Sequence, residues 1–200
     1  MLIAIEGCLG VGKSTVAKGL ATFRESEALL EEFEKHPFLS AFYEDPQGAA
    51  IETEFAFLLL HYHQLKEHGG RIAEKEVISD FHLGKDLIYA HLNLPSADVN
   101  GVFGDLFGIC ARKIAAPALL ILLSVSDELL IERIRRRDRD FEQKIDASYY
   151  KSVNAAYEDF FLRYKGKKII ISMDQWDFVK FPEQFERLSA MVDTELCDNG

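Results

Sequence analysis

The sequence predicts an α/β fold with a mainly parallel sheet, and three observations carry that prediction. Short apolar runs read as buried strands, and segments with apolar residues at helical spacing lie between them. The first run, Leu2–Glu6, passes directly into a glycine-rich turn and then into a helical segment. Strands that alternate with helices in this way pair in parallel, because each helix carries the chain back to the start of the next strand.

Taken in order, Leu2–Glu6 is a buried strand. Val16, Ala17, Leu20 and Phe23 give Lys13–Phe23 one apolar helical face. Residues 26–33 are ambiguous, since their pattern alone passes for helix. Pro37 and Pro46 bracket a polar-aromatic loop, and a long helix is predicted over 49–66, ending near Gly69 and Gly70. A short strand follows over 76–80 and a helix over 81–92. The stretch punctuated by Gly101, Gly104 and Gly108 is mostly helix. Residues 118–125 are the clearest buried strand, and a charged helix starts at Asp127. A helix over 147–164, a strand at Lys168–Ser172 and a helix over 182–192 close the chain. With no repeat, low-complexity tract or linker, residues 1–200 are expected to form one domain.

Composition narrows the classes of function. The net charge of −10 repels phosphate backbones, so nucleic acid is not an expected partner. Cys8, Cys110 and Cys197 are odd in number and widely spaced, which fits neither a disulfide framework nor a zinc site. The longest apolar stretch, 114–123, is interrupted by Pro117 and is too short to span a bilayer. The N-terminal residues carry no basic segment of a signal peptide. The expected compartment is the cytoplasm, with no membrane partner.

Residues 7–15 carry the chemistry that is easiest to read. Gly7 to Ser14 match G-x-x-x-x-G-K-[ST] in full, between a strand and a helix. Such a loop folds its N–H groups around phosphate oxygens, and the next helix adds its positive end. Gly7, Gly10, Val11, Gly12, Lys13, Ser14 and Thr15 are therefore the candidate phosphate contacts. Lys13 is expected to reach the β- and γ-phosphates, and Ser14 to ligate Mg²⁺. A second cluster, Arg133 to Arg139, follows the strongest strand by less than two helical turns. Arg133 and Arg137 share a helix face and could neutralise a transferring phosphoryl group from a lid at about 133–143. No N-K-x-D segment points to a GTPase, and Asp80 ends its strand as a single acid rather than the pair of an ATPase motor. The two clusters together point to a kinase.

Several segments in chain order, IAIEGCLGVGKST, EEFEKHPFLSAFYEDP, HYHQL, VISDFHLGKD, ERIRRRDRDFEQKI and QFERL, resemble the bacterial deoxynucleoside kinases of the deoxyguanosine/deoxyadenosine kinase group, relatives of deoxycytidine kinase. The resemblance implies a five-stranded parallel sheet flanked by helices and a homodimer. It implies transfer of the γ-phosphoryl of ATP, with Mg²⁺, to the 5′-hydroxyl of a deoxynucleoside. It also turns residues 26–33 into a short second strand ending at a catalytic glutamate, matched by Glu31 with Glu32 as the competing choice. A carboxylate there can orient the 5′-hydroxyl and take its proton.

The same resemblance matches Asp80 to an acid that acts on Mg²⁺ through water, and Arg133, Arg137 and Arg139 to lid arginines. Tyr43 and Glu142 match residues that contact the sugar 3′-hydroxyl. The arginine that relatives carry after the acid is absent here, where Phe81 and His82 follow Asp80. Glu54 stands where many relatives have a glutamine that meets the base edge, and His61 and Asp86 match an arginine–aspartate pair that helps read the base. An ionised Glu54 only accepts hydrogen bonds, which suits the two neighbouring donors of guanine better than adenine. A monophosphate kinase of thymidylate kinase type would need cations for the acceptor phosphate, yet Lys35 is the only Lys or Arg between residues 33 and 60. A non-catalytic nucleotide-binding module is the remaining alternative, and the intact Lys13, Ser14, Glu31 and Asp80 speak against it.

Overall fold

The computed structural model describes residues 1–137 and 145–197. Five strands, β1 (Leu2–Glu6), β2 (Glu27–Leu29), β3 (Val77–Ser79), β4 (Leu119–Ser124) and β5 (Lys168–Ser172), form one sheet in the order β2-β3-β1-β4-β5. Every pairing is parallel, with Ile3 beside Ile78 on one side and Leu119 on the other. All five residues of β1 are buried, as a central strand covered on both faces requires.

Helix α1 (Lys13–Phe23) packs on β2, β3 and the last helix, and Leu20 and Ala21 are buried on its inner face. Beyond β2 come α2 (Leu39–Glu44), α3 (Ala50–Glu67) and α4 (Gly69–Glu74). After β3 the chain forms α5 (Lys85–Asn93) and α6 (Ala97–Ala111), and after β4 it forms α7 (Asp127–Arg137) and α8 (Ala147–Arg163). Helix α9 (Gln184–Cys197) follows β5 and lies against α1, β4 and β5. One apolar core surrounds β1, β4 and β5, with Tyr157 and Phe161 of α8 fully buried in it. A second core, around Leu58, Phe81 and Phe103, joins α3, α5 and α6.

Two local expectations are revised. The segment between Pro37 and Pro46 is not all loop: Leu39–Glu44 is helical, with Phe42 buried and its N–H bonded to the Phe38 carbonyl at 3.0 Å. The long helix ends at Glu67, beside Gly69 and Gly70 as expected, and a further short helix, α4, begins at Gly69, where Ile72 N bonds the His68 carbonyl and the Ile72 side chain is buried. Residues 81–84 are not helical, since Phe81 and Leu83 are buried and His82 N is taken by Glu6 Oε1 at 2.6 Å. Helix α5 therefore begins only at Lys85. Arg24 ties three elements at the far edge of this core, pairing with Glu76 at 2.8 Å, Ser189 at 2.7 Å and Asp193 at 2.9 Å.

Strand order decides where chemistry can happen. Parallel strands end on the same edge, and β1 has β3 on one side and β4 on the other, so a crevice opens at their carboxyl ends. The loop after β1, Glu31 after β2 and Asp80 after β3 all emerge there. Among the described residues, no helix is long and apolar enough to cross a membrane.

Candidate active site

The loop after β1 has a backbone that only glycine supplies readily. Gly7, Gly10 and Gly12 have φ values of 147°, 83° and 111°. A Cβ on Gly7 would lie 2.5 Å from the carbonyl oxygen of Leu123, so the turn is seated on β4. Gly12 is the N-cap of α1 and offers no side-chain cap, and no acid lies in the first turn. The N–H groups there are left to an anion. Lys13 Nζ donates to the carbonyls of Gly7 at 2.8 Å and Cys8 at 3.2 Å.

Asp80 joins this loop to the end of β2. One carboxylate oxygen accepts from the Ser14 hydroxyl, and the other accepts from Glu31 N at 2.7 Å. Gln64 of α3 donates to the Leu30 carbonyl at 2.5 Å and fixes the backbone just before Glu31. The Glu31 side chain is then held at both oxygens, by Lys85 Nζ at 2.7 Å and by His61 Nε2 at 3.0 Å. His61 Nδ1 meets Asp86 Oδ1 at 2.8 Å. Two carboxylates, one at each ring nitrogen, call for two N–H donors and hence an imidazolium. Burial lowers the pKa of His61, but Asp86 and Glu31 outweigh it and raise it to about 9. Burial alone would push the Glu31 carboxyl up; Lys85 and His61 overcome that and hold it well below the usual carboxylate range.

These groups open on a cavity of about 750 Å³, a size that suits a small organic ligand. Its lining also includes Glu54, Asn93 and Tyr149, contributed by α3, α5 and α8. Glu54 is 2% exposed and accepts from Asn93 Nδ2 at 2.7 Å; Asn93 also donates to the Tyr149 hydroxyl at 3.1 Å. Burial drives the Glu54 carboxyl up to about 8. Thr53 Oγ1 and Asp86 Oδ2 are buried with no hydrogen-bond partner among the described residues, and both residues line the cavity.

Most of the residues singled out in the sequence meet here. Gly10, Gly12, Lys13, Ser14 and Thr15 line the cavity with Glu31, Tyr43, Asp80 and Arg133. Gly7 and Val11 lie beneath the loop and contribute carbonyls, Gly7 to Lys13 and Val11 to Arg133. Glu31, not Glu32, faces the cavity, because Glu32 is half exposed and pairs with Lys35 at 2.7 Å. Arg133 is bound to protein carbonyls, that of Val11 at 2.8 Å and that of Met173 at 3.3 Å. Arg137 ends α7, while Arg139 and Glu142 lie outside the described residues. His61 meets Asp86, the residue it was matched with, and also holds Glu31; the ring lies behind Glu31 and does not line the cavity.

Four participants were not anticipated. Lys85 left no signal beyond following a glycine at the head of a helix. Asn93 and Tyr149 are ordinary helix residues whose meeting depends on α5 packing against α8. Glu6 was read only as a strand residue, yet it is buried and accepts from His82 N and, at 3.2 Å, from the Tyr157 hydroxyl. Burial, against the pull of Lys85 and Lys13, pushes its carboxyl up to about 7.

A family profile described as Deoxynucleoside kinase matches residues 3–198. Over 197 residues the chain is 29% identical to the deoxyguanosine kinase of Bacillus subtilis (strain 168), covering 95% of each protein. It is 28% identical over 219 residues to the deoxyadenosine kinase of Lactobacillus acidophilus, covering 100% of this chain and 98% of the relative. A structure of deoxyadenosine kinase from M. mycoides with the products dCMP and dCDP superposes with a TM-score of 0.82 at 24% identity, covering 97% of this chain and 99% of that one. The same enzyme with bound dATP gives a TM-score of 0.79 at 24% identity, covering 94% and 100%.

Proposed function

The chain belongs to the deoxynucleoside kinase family and is an ATP-dependent deoxynucleoside kinase, and we propose that its acceptor is a purine deoxynucleoside, deoxyguanosine before deoxyadenosine, phosphorylated at the 5′-hydroxyl for nucleotide salvage. The observation that carries this reading is the buried carboxylate of Glu54 facing a cavity shared with Glu31 and the phosphate loop. Glu31 is the group that orients the 5′-hydroxyl and takes its proton, because it is preorganised at backbone and side chain. Lys13 and the N–H groups at the head of α1 hold the triphosphate. Tyr43 supports the sugar from the cavity wall.

Mg²⁺ fits the donors present. The Ser14 hydroxyl and the Asp80 carboxylate adjoin at the loop, and hard oxygen donors of this kind share the ion with phosphate oxygens. Ser14 and Asp80 would hold it, Asp80 partly through water, and the ion supplies neutralisation of phosphate charge.

The base edge is read by Glu54, with Thr53 Oγ1 and Asp86 Oδ2 as further polar atoms that have no hydrogen-bond partner among the described residues. An ionised Glu54 suits the paired donors of guanine; a protonated one offers a donor beside an acceptor and suits adenine. The charged groups that set its state are Asp86, Lys85 and His61, beside the hydrogen bond from Asn93. Burial pushes Glu54 up to about 8, and the paired N–H donors of a bound guanine favour its ionised form, so the ratio of deoxyguanosine to deoxyadenosine turnover should rise between pH about 6.5 and about 8.5. Groups that act on sugar and phosphates cancel in that ratio. In Glu54→Gln the ratio should lose its pH dependence and fall by about tenfold. Rates on the four natural deoxynucleosides with ATP test both points, and an unchanged ratio in the variant would remove Glu54 as the selector.

We also read the exposed apolar residues Leu59 on α3 and Val102 and Ile109 on α6 as the contact of a homodimer. Sedimentation velocity should give twice the chain mass, and Val102→Glu with Ile109→Glu should halve it.

A further inference from the structure

Phe81, the residue after Asp80, is apolar and fully buried against the second core. Positive charge beside the cavity comes on the first turn of α5. Lys85 is 7% exposed, lines the same cavity as Lys13 and Glu31, and holds Glu31 Oε2 at 2.7 Å. Its ammonium is close enough to Lys13 for each to feel the other's charge. Such a lysine is an expensive group to bury, and its neighbours Glu31, Glu6 and Asp86 keep it charged against the effect of burial. Arg133 also lines the cavity, with donors of its guanidinium held by the Val11 and Met173 carbonyls.

We propose that Lys85 is a second catalytic cation of this kinase: its ammonium, set beside Glu31 on the cavity wall, contacts the transferring phosphoryl group and neutralises the charge that builds there. This rests on the kinase reading of the site. In the step concerned, the 5′-oxygen of the acceptor attacks the γ-phosphorus and a new O–P bond forms. The bond from the γ-phosphorus to the β–γ bridging oxygen breaks, and its electron pair leaves with the nucleoside diphosphate. The hydroxyl proton passes to Glu31. Lys85 neither gains nor loses a proton; it lies between the base and the phosphoryl group. One ammonium with three N–H donors can hold a Glu31 oxygen and a phosphoryl oxygen together. It thereby keeps the base and the group under attack in register, as well as supplying charge. A lysine is a point charge on a flexible stem rather than a planar fork, so from the first turn of α5 it can meet both oxygens.

The competing role is purely structural, with Lys85 a counter-ion that allows Glu31 to be buried. The full-length chain distinguishes the two. In Lys85→Met, kcat with ATP should fall by about 100-fold or more, while the KM for the deoxynucleoside stays within about threefold. Lys85→Arg should recover a large part of kcat. Because Lys85→Met buries an unpaired carboxylate, the decisive comparison sets Glu31→Gln, whose amide oxygen can still accept from Lys85, against Glu31→Gln with Lys85→Met, in which neither the carboxylate nor the ammonium remains. The double variant should bind Mg²⁺·ATP about tenfold more weakly than Glu31→Gln, by titration calorimetry, and should turn over still more slowly. Equal ATP affinity and equal kcat in the two would show that Lys85 serves only as a counter-ion and would overturn the proposal. Turnover by the unmodified chain is the control that separates this failure from the other: if no deoxynucleoside is phosphorylated at all, the kinase reading fails and Lys85 goes with it.

Discussion

Lys13→Ala should lower kcat by about three orders of magnitude and raise the KM for ATP, with the affinity for the deoxynucleoside nearly unchanged. The side chain sits at the loop that ends β1, donating to the Gly7 and Cys8 carbonyls, at the place where a triphosphate would meet the head of α1. No other residue on that loop is basic. The residues proposed to read the base, Glu54, Thr53 and Asp86, belong to other helices and are untouched by the change. Since Lys13 binds only loop carbonyls, loss of its side chain should leave the melting temperature within a few degrees. Steady-state kinetics and a thermal melt on the same preparation are the check, and a kcat within tenfold of the parent would remove Lys13 from the phosphate site.

Glu31→Gln should lower kcat by about 10²- to 10⁴-fold and change the KM of the deoxynucleoside by less than about threefold. The amide keeps the size of the carboxylate and can still accept from Lys85 through its oxygen. Its nitrogen, though, would face the His61 N–H at the position now held by a carboxylate oxygen. His61 should respond by giving up a proton, so its pKa should drop from about 9 toward the ordinary range for histidine. A two-dimensional NMR titration of the ring reads that shift independently of turnover. Loss of nucleoside binding with kcat retained would mean that Glu31 positions the acceptor and does not take its proton.

What could be read in advance follows from sequence distance. The phosphate loop is contiguous, so its glycines, Lys13 and Ser14 announce themselves, and the flanking strand and helix occur as expected. Glu31 and Glu32 could not be separated by composition, because β2 has only three residues and no clear alternation. The choice is made from across the sheet, where Asp80 of the neighbouring strand clips Glu31 N and leaves Glu32 to Lys35 in solvent. Lys85 was invisible for the same reason, as its partner lies 54 residues away. Glu54 was legible as a residue but not as an unusually weak acid, since its burial is produced by α3, α5 and α8 coming together around it. The pairing of His61 with Asp86 was legible, whereas its second bond, to Glu31, depends on the end of β2 meeting α3 and could not be read from spacing.

The division of the cavity between two sets of elements affects how this enzyme could change over generations. The phosphate half is built by the loop after β1 and the head of α1, and the base half by α3, α5 and α8, with Asp80 and Glu31 as the joint. Drift at Glu54, Asn93 or Tyr149 can therefore explore new acceptors while the donor half keeps working. Libraries randomised at those three positions should retain many active members with altered preference, whereas the same effort spent on residues 7–15 should yield mostly dead clones.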